Sequence, residues 1–111
     1  MEITAAVGAL SALAHETRLS LFRRIVRAGM AGLTPGELGA EFSLPPATLS
    51  FHLKELTRAG LLQARHEGRH IHYAPHVAAM NTLLGFLTEN CCAGEACGLV
   101  TPCCPPVVTP D

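Results

Sequence analysis

Two short helical segments separated by a tight break most constrain the fold of this 111-residue chain. The first has a strong start signal, because Thr34 suits an N-cap, Pro35 suits the first helical position and Glu37 completes a capping box. This segment runs from Pro35 to Glu41, and the Phe42–Pro46 run then ends it. A second helix is therefore expected after a connection of only a few residues.

The second segment places leucines at the spacing of one helical face, at Leu49, Leu53 and Leu56, and Gly60 suits its C-cap. Its other face carries small polar side chains. Two short helices joined by a tight turn are the sequence signature of a helix-turn-helix, whose second helix enters the major groove of DNA. The residues that we expect on the free face, in contact with DNA, are Thr48, Ser50 and His52.

After the second segment, the period of the sequence changes from that of a helix to that of a strand. Residues alternate from Leu62 to His66, and a Glu67–Gly68–Arg69 turn then reverses the chain. The returning segment, His70–Tyr73, ends before Pro75, which predicts a β-hairpin. Beside a helix-turn-helix such a hairpin is a wing with a basic tip. The cations that we expect to contact phosphates are Lys54, Arg58 and Arg69.

The charges are unevenly distributed, although the net charge is only -1. All eight Lys and Arg residues lie between His15 and His76 together with five Glu residues, which gives this region a net charge of +3. A basic middle with acidic ends fits a DNA-binding core that carries a regulatory tail. An ordinary solvated surface is the alternative explanation of so small an excess.

The first and last helices each carry an apolar stripe for which one chain offers no partner. On the first helix the stripe consists of Val7, Leu10, Leu13 and Ala14. On the last helix, from about His76 to Asn90, it consists of Val77, Met80, Leu83, Leu84 and Leu87. The second helix also has an apolar face, which we expect to pack into the core and which consists of Leu19, Phe22, Ile25 and Val26. Pairing the two free stripes across a two-fold axis buries both, so we predict a homodimeric, mainly α-helical winged helix-turn-helix.

All five cysteines lie near the C-terminus, after ninety residues without one: Cys91, Cys92, Cys97, Cys103 and Cys104. Structural disulfides or a core zinc site would be spread through the fold, so this segregation indicates a separate thiolate site. We therefore divide the chain in two. A DNA-binding and dimerisation domain is expected over residues 1–90, and a cysteine-rich sensing segment and tail over residues 91–111.

The sequence also excludes several classes of protein. It has no stretch near the roughly 18 apolar residues of a membrane span and no basic start of a signal peptide, so we expect a cytoplasmic protein without membrane contact. There, clustered thiols are kept reduced and serve metal binding or redox sensing. No glycine-rich phosphate loop, serine-centred elbow or anion loop beside a cysteine is visible, so we expect no enzyme. The alternative class is a metal-binding or redox protein whose DNA-like fold serves protein contacts.

Four segments resemble the ArsR/SmtB family of metalloregulatory repressors: His15–Leu19, Ala47–Leu56, Ala59–Leu62 and Gly68–Tyr73. The resemblance runs from about Val7 to Leu87. It implies a homodimer that binds operator DNA when its sensing site is empty. The chain departs from the family pattern at Pro45, Pro46 and Phe51, the last standing where a histidine is common. The usual DNA contacts therefore carry over only to Thr48, Ser50 and His52.

The position of the sensing site differs among members of this family. Here the third helix lacks the cysteines that bind metal in some members, and the last helix keeps only His76 and Glu89 of the paired zinc ligands of others. Thiolates select soft ions, and three of them without a fourth ligand suit trivalent arsenic. A Cys-Cys pair with a third cysteine just past the last helix resembles the As(III) site of one arsenical-responsive branch of the family.

We therefore expect As(III) as inducer and no organic cofactor, with the ligands Cys91, Cys92 and Cys97. Antimony(III) is an alternative inducer, as is methylarsenite, which needs only two thiolates. Zinc, cadmium, lead and a thiol redox switch are further alternatives. Either Cys103 or Cys104 is an alternative third ligand, and Cys97 is preferred because its loop is shorter.

Overall fold

The computed structural model describes residues 1–89 and shows the mainly α-helical fold with one β-hairpin that the sequence predicts. Within this range the elements are α1 (Ile3–Leu13), α2 (Glu16–Ala28), a 3₁₀ turn (Gly29–Ala31), α3 (Pro35–Phe42), α4 (Pro46–Arg58), β1 (Leu62–Glu67), β2 (His70–Pro75) and α5 (Val77–Leu87). None of these helices is long and apolar enough to cross a membrane. The order matches that of a winged helix-turn-helix, with α3 and α4 as the motif and the hairpin as the wing.

The start of α3 has the predicted capping box. The amide of Glu37 donates to Oγ1 of Thr34 over 3.2 Å, and the amide of Thr34 donates to Oε1 of Glu37 over 2.8 Å. This hydrogen bond from the Thr34 amide lowers the pKa of the Glu37 carboxyl. The helix ends where Ser43 adopts a left-handed conformation with φ of 54°. Because two amide donors at its start are satisfied, a helix of only eight residues holds a fixed place before α4.

The core lies where α2, α3, α4 and β1 meet. Its largest fully buried side chains are Leu21, Ile25, Leu38, Leu53, Leu56 and Leu62. Each contributes about 1.5–3 kcal/mol to the hydrophobic stabilisation of the fold. The prediction that Leu19 faces this core is wrong, because Leu19 is 43% exposed and Leu21 takes the inward position. The leucine face of α4 is thereby fixed against the core, which leaves the opposite face outward.

Helix α1 contacts the core mainly through alanines, and of the larger residues in its predicted stripe only Leu13 packs against the core. The buried side chains of α1 are Ala6, Ala9 and Ala12. Small side chains at this spacing allow the helix backbone to approach its neighbours closely. Val7 and Leu10 are exposed on another face of the same helix. On α5 the prediction that the stripe has no partner within one chain is wrong for Met80 and Leu83, which are buried in the core, whereas Leu87 is exposed. Within residues 1–89 the chain therefore leaves apolar surface on both helices.

The wing is an antiparallel hairpin whose pairing runs from Leu62 opposite Pro75 to Glu67 opposite His70. Glu67 therefore belongs to β1, and the turn contains Gly68 and Arg69 alone, one residue fewer than predicted. Gly68 has φ of 63°, while Arg69 is outside the positive-φ region. This combination is that of a type II′ turn, which matches the twist of the two strands. The turn places the side chain of Arg69 at the end of the wing.

The wing is joined to the loop that precedes α3. Leu33 and Tyr73 exchange two backbone hydrogen bonds, of 3.0 and 2.8 Å. The guanidinium of Arg65 donates to the carbonyl oxygens of Met30 and Ala31 over 3.0 and 2.9 Å. Because these bonds join the middle of both strands to the loop, the wing is held at a fixed angle to the helix-turn-helix.

Candidate nucleic-acid interface

The outward face of α4 combines small, apolar and basic side chains. The exposed residues are Pro46, Ala47, Thr48, Ser50, Phe51, Lys54 and Arg58. The opposite face is fixed in the core by Leu49, Leu53 and Leu56. An α-helix fits the major groove of DNA, where short polar side chains reach base edges and longer cations reach phosphates. The face therefore has the composition and shape of a recognition helix.

Four of the predicted DNA contacts lie on this face. Thr48 and Ser50 are exposed in its N-terminal half, and Lys54 and Arg58 follow in the C-terminal half. Arg58 forms an ion pair with Glu55, yet its side chain remains 74% exposed. An exposed ion pair of this kind is weak, so the guanidinium is free to exchange Glu55 for a phosphate. Arg69, the fifth predicted contact, is exposed at the tip of the wing.

His52 does not lie on the exposed face, contrary to the sequence prediction. Its exposure is 7%, and its ring packs against that of His15 with centroids 4.9 Å apart. Arg18 donates from a terminal nitrogen towards Nδ1 of His52 over 3.3 Å. Because arginine is only a donor, Nδ1 must accept, which requires a neutral ring that carries its proton on Nε2. His52 therefore belongs to the junction between α2 and α4 and is not part of the proposed interface.

The pKa of His52 reflects this position. Burial lowers it below the usual value of 6.5, and the neighbouring His15 and Arg18 lower it further. Arg18 itself is held in place by a 2.8 Å hydrogen bond from its Nε to the carbonyl oxygen of Ala12. Arg18 thus links the end of α1 to His52 on α4 and has a structural role in the domain.

Phe51 is the largest exposed side chain of α4 that the sequence did not predict as a DNA contact. Its side chain is 56% exposed, and it lies one turn from Ala47 and one turn from Lys54 or Glu55 along the helix. The helical period is the signal that identifies it. With Leu49, Leu53 and Leu56 inward, position 51 must point outward and position 52 inward.

Arg65 lies on the wing, but its side chain attaches the wing to the loop before α3 and does not point to a DNA partner. Besides its bonds to the loop carbonyls, its Nε donates to Oε2 of Glu67 over 2.6 Å. This hydrogen bond and the charge of Arg65 lower the pKa of the Glu67 carboxyl. Arg69 has no carboxylate within ion-pair distance among residues 1–89. Of these two wing arginines, Arg69 is therefore the one placed for a phosphate.

The predicted thiolate site, Cys91, Cys92 and Cys97, lies outside the residues that the structure describes, as do Cys103 and Cys104. Within residues 1–89 there is no group of three or more His, Cys, Asp or Glu side chains that could hold a metal ion. His76 caps α5 by accepting a 3.1 Å hydrogen bond at Nδ1 from the amide of Ala79.

Comparisons with known proteins agree with this architecture. Residues 13–63 match a family described as a helix-turn-helix domain. The fold is shared with a fragment of Mb0332 from Mycobacterium bovis, described as a homodimeric winged helix-turn-helix DNA-binding domain and a possible ArsR-family regulator. That similarity has a TM-score of 0.63 at 20% identity over 87% of this chain and 90% of that one. No curated protein matches the sequence significantly.

Two solved regulators are more similar in sequence. The antimony-specific transcriptional repressor AntR is 30% identical, with a TM-score of 0.57 over 78% of this chain and 74% of that one. A possible transcriptional regulator for arsenical resistance is also 30% identical, with a TM-score of 0.58 over 73% of this chain and 81% of that one. Since both the fold and this level of identity extend over most of the chain, the protein belongs to the ArsR family of winged helix-turn-helix, DNA-binding transcriptional regulators.

Proposed function

We propose that this regulator is a homodimeric, As(III)-responsive repressor. It binds operator DNA in the absence of inducer and releases it when the thiolates of Cys91, Cys92 and Cys97 bind trivalent arsenic. One observation carries the proposal. All five cysteines lie between residues 91 and 104, directly after a complete winged helix-turn-helix that itself contains none.

Operator binding rests on the exposed face of α4 and on the tip of the wing. Thr48 and Ser50 supply hydroxyl groups that donate to and accept from base edges. The phosphate contacts come from Lys54, Arg58 and Arg69. Base contacts give sequence preference, whereas phosphate contacts give position and most of the salt-dependent affinity.

The homodimer rests on the apolar surface that α1 and α5 leave exposed. Val7 and Leu10 on α1 and Leu87 on α5 are each more than two-fifths exposed. The homodimeric state of the Mb0332 fragment, which has the same fold, supports this assembly. Two copies related by a two-fold axis would place two α4 helices in successive major grooves, about 34 Å apart.

The inducer follows from the ligand set. Arsenous acid condenses with three thiols, each As–S bond replacing one As–O bond and releasing one water, so no oxidant or reductant is needed. A soft, three-coordinate ion fits three thiolates without a fourth ligand. The similarity to an antimony-specific repressor and to a possible regulator for arsenical resistance supports a metalloid inducer.

Counting free thiols tests the site. The reduced, full-length protein has five thiols that react with a thiol reagent, and arsenite should protect three of them. Cys97→Ser should leave only two protected, whereas Cys103→Ser should still leave three. Arsenic-edge X-ray absorption should show three sulfur neighbours in the wild type and in Cys103→Ser.

The competing ligands give different results in the same assay. Antimony(III) should protect the same three thiols, and methylarsenite should protect two. Loss of protection in Cys103→Ser or Cys104→Ser but not in Cys97→Ser would place the third ligand in the tail. Protection by zinc, cadmium or lead but not by arsenite would contradict the proposed inducer. In a separate DNA-binding assay, release of operator by peroxide but not by arsenite would also contradict it.

A further inference from the structure

The centre of the exposed face of α4 is occupied by an apolar ring. Successive residues of an α-helix are rotated by about 100°, which places Phe51 between Thr48 and Ser50 around the helix. The same rotation aligns Phe51 with Ala47, Lys54 and Arg58 along it. When a recognition helix enters the major groove, the residues in its N-terminal part contact base edges. Phe51 lies in the N-terminal half of α4, whereas Lys54 and Arg58 lie in the C-terminal half.

The ring of Phe51 lies against two residues of the fold and is otherwise largely exposed. Its centroid lies 5.7 Å from that of His52, and the guanidinium carbon of Arg18 lies 6.0 Å from it. His52 is buried and Arg18 is bonded to the carbonyl of Ala12, so both neighbours are fixed parts of the fold. More than half of the residue, 56%, is nevertheless exposed. The fold thus holds the ring in place and leaves much of its surface open to a partner.

A phenylalanine ring has no hydrogen-bond donor or acceptor, so it cannot recognise the polar pattern of a base pair. The apolar group that the major groove displays is the C5 methyl of thymine. We infer that Phe51 is a specificity-determining residue that packs against a thymine methyl in each operator half-site. This inference rests on the proposed operator binding by α4 and adds a base preference to it.

Removing the methyl from the DNA tests the contact directly. A duplex site is first selected from random DNA with the full-length wild-type protein, and each thymine is then replaced singly by deoxyuridine, which lacks only the methyl. One position per half-site should weaken binding by about three- to five-fold, the effect of exposing one methyl-sized group. The remaining thymines should tolerate the replacement. Uniform tolerance at every position in the wild type would overturn the inference.

Variants of Phe51 assign the effect to the ring. Phe51→Ala should bind the thymine and deoxyuridine sites equally, while Phe51→Leu, which keeps an apolar tip, should retain a preference for thymine. Met30→Ala is the control, because Met30 is 53% exposed in the 3₁₀ turn and lies outside α4. It should discriminate as the wild type does. The slope of affinity against salt should be unchanged in all three variants, because no phosphate contact is lost.

The outcomes separate this inference from the proposed function. If Phe51→Ala keeps the full preference for thymine, the ring does not contact the methyl, although operator binding stands. If the wild type selects no sequence at all, operator binding and the inference both fail. Thermal unfolding of each variant checks the fold, and Phe51→Leu decides the question if Phe51→Ala unfolds.

Discussion

At the scale of single residues, some side chains of the proposed interface select a DNA sequence, and others bind the phosphate backbone of the DNA. Ser50 is exposed on α4, and Arg69 is exposed at the tip of the wing. Ser50→Ala should therefore reduce the difference in affinity between operator and random DNA. Arg69→Ala should weaken binding to both and lower the salt slope by about one unit. Fluorescence anisotropy over a salt titration measures both effects, and an unchanged affinity and slope in Arg69→Ala would show that the wing does not touch DNA.

The buried His52 predicts a dependence of stability on pH. Burial holds its pKa below the usual 6.5, so between these two values the unfolded chain binds a proton that the folded chain does not. The contribution to stability is complete above pH 6.5 and is lost as the pH falls towards the pKa of the folded state. The free energy of unfolding should therefore decrease from about pH 7.5 to about pH 5.5.

Urea unfolding across this pH range measures the effect. His52→Gln should show a smaller decrease than the wild type, whereas His70→Gln, a change at an exposed position of the wing, should behave like the wild type. An equal decrease in wild type and His52→Gln would mean that another group controls the acid sensitivity.

The wrong prediction for His52 shows that the polarity of a residue alone does not tell which face of this helix it occupies. Polarity suggested an outward histidine, yet positions 49, 52, 53 and 56 form one helical stripe, and the period decides which residues the core accepts. Thr48 and Ser50 were placed correctly because polarity and period agree there. Arg18, which satisfies His52, lies 34 residues away, and this partnership has no local sequence signal.

At the scale of elements, the attachment of the wing depends on a close approach at Gly32. A Cβ atom there would lie 2.8 Å from the carbonyl oxygen of Tyr73. Gly32 also has φ of 78° and ψ of 177°, a region that residues other than glycine essentially do not occupy. Gly32→Ala should therefore lower the free energy of unfolding by about 1–3 kcal/mol or more.

Chemical denaturation measures this loss, and Gly36→Ala provides a matched control. A Cβ at Gly36 would meet only Oγ1 of Thr34 at an ordinary 3.9 Å, within the first turn of α3. Amide hydrogen exchange should show faster exchange at Leu33 and Tyr73 in Gly32→Ala, because their paired hydrogen bonds weaken. Equal stability of the two variants would contradict a rigid attachment of the wing.

The predictability of each element follows from how local its signals are. The start of α3 and the hairpin were predicted well, since a capping box and a change of period act within a few residues. The packing of α1 was not predictable in the same way. Its sequence is apolar on several faces, and only tertiary packing selected the face of Ala6, Ala9 and Ala12 over that of Val7 and Leu10.

At the scale of the whole molecule, the exposed stripe of α1 predicts assembly. Leu10→Glu places a charge in the proposed dimer interface and should give monomers, with operator affinity greatly reduced because one half-site contributes alone. Leu19→Glu is a matched control, since Leu19 on α2 is 43% exposed and Leu10 is 42% exposed. Sedimentation at micromolar concentration distinguishes them. A monomeric wild type that binds operator tightly would contradict this architecture.

The proposed sensing function involves the folded domain and the cysteine-rich segment, and the sequence predicts these two parts by different signals. A folded domain follows from periodicity, whereas the assignment of the inducer rests on the chemistry and spacing of Cys91, Cys92 and Cys97, outside the described residues. Under the proposed function, one ion bound by three thiolates draws Cys91, Cys92 and Cys97 together. Ligand and operator then compete through their different affinities for the two arrangements of the dimer.

The affinity for operator DNA with and without arsenite tests this account most directly. For the reduced wild type, saturating arsenite should weaken operator binding by about 30- to 150-fold, equivalent to roughly 2–3 kcal/mol of coupling. The double variant Cys91→Ser, Cys92→Ser should bind operator as the wild type does and should not respond to arsenite. Normal arsenite-driven release by this double variant, or no release from the wild type, would contradict the account.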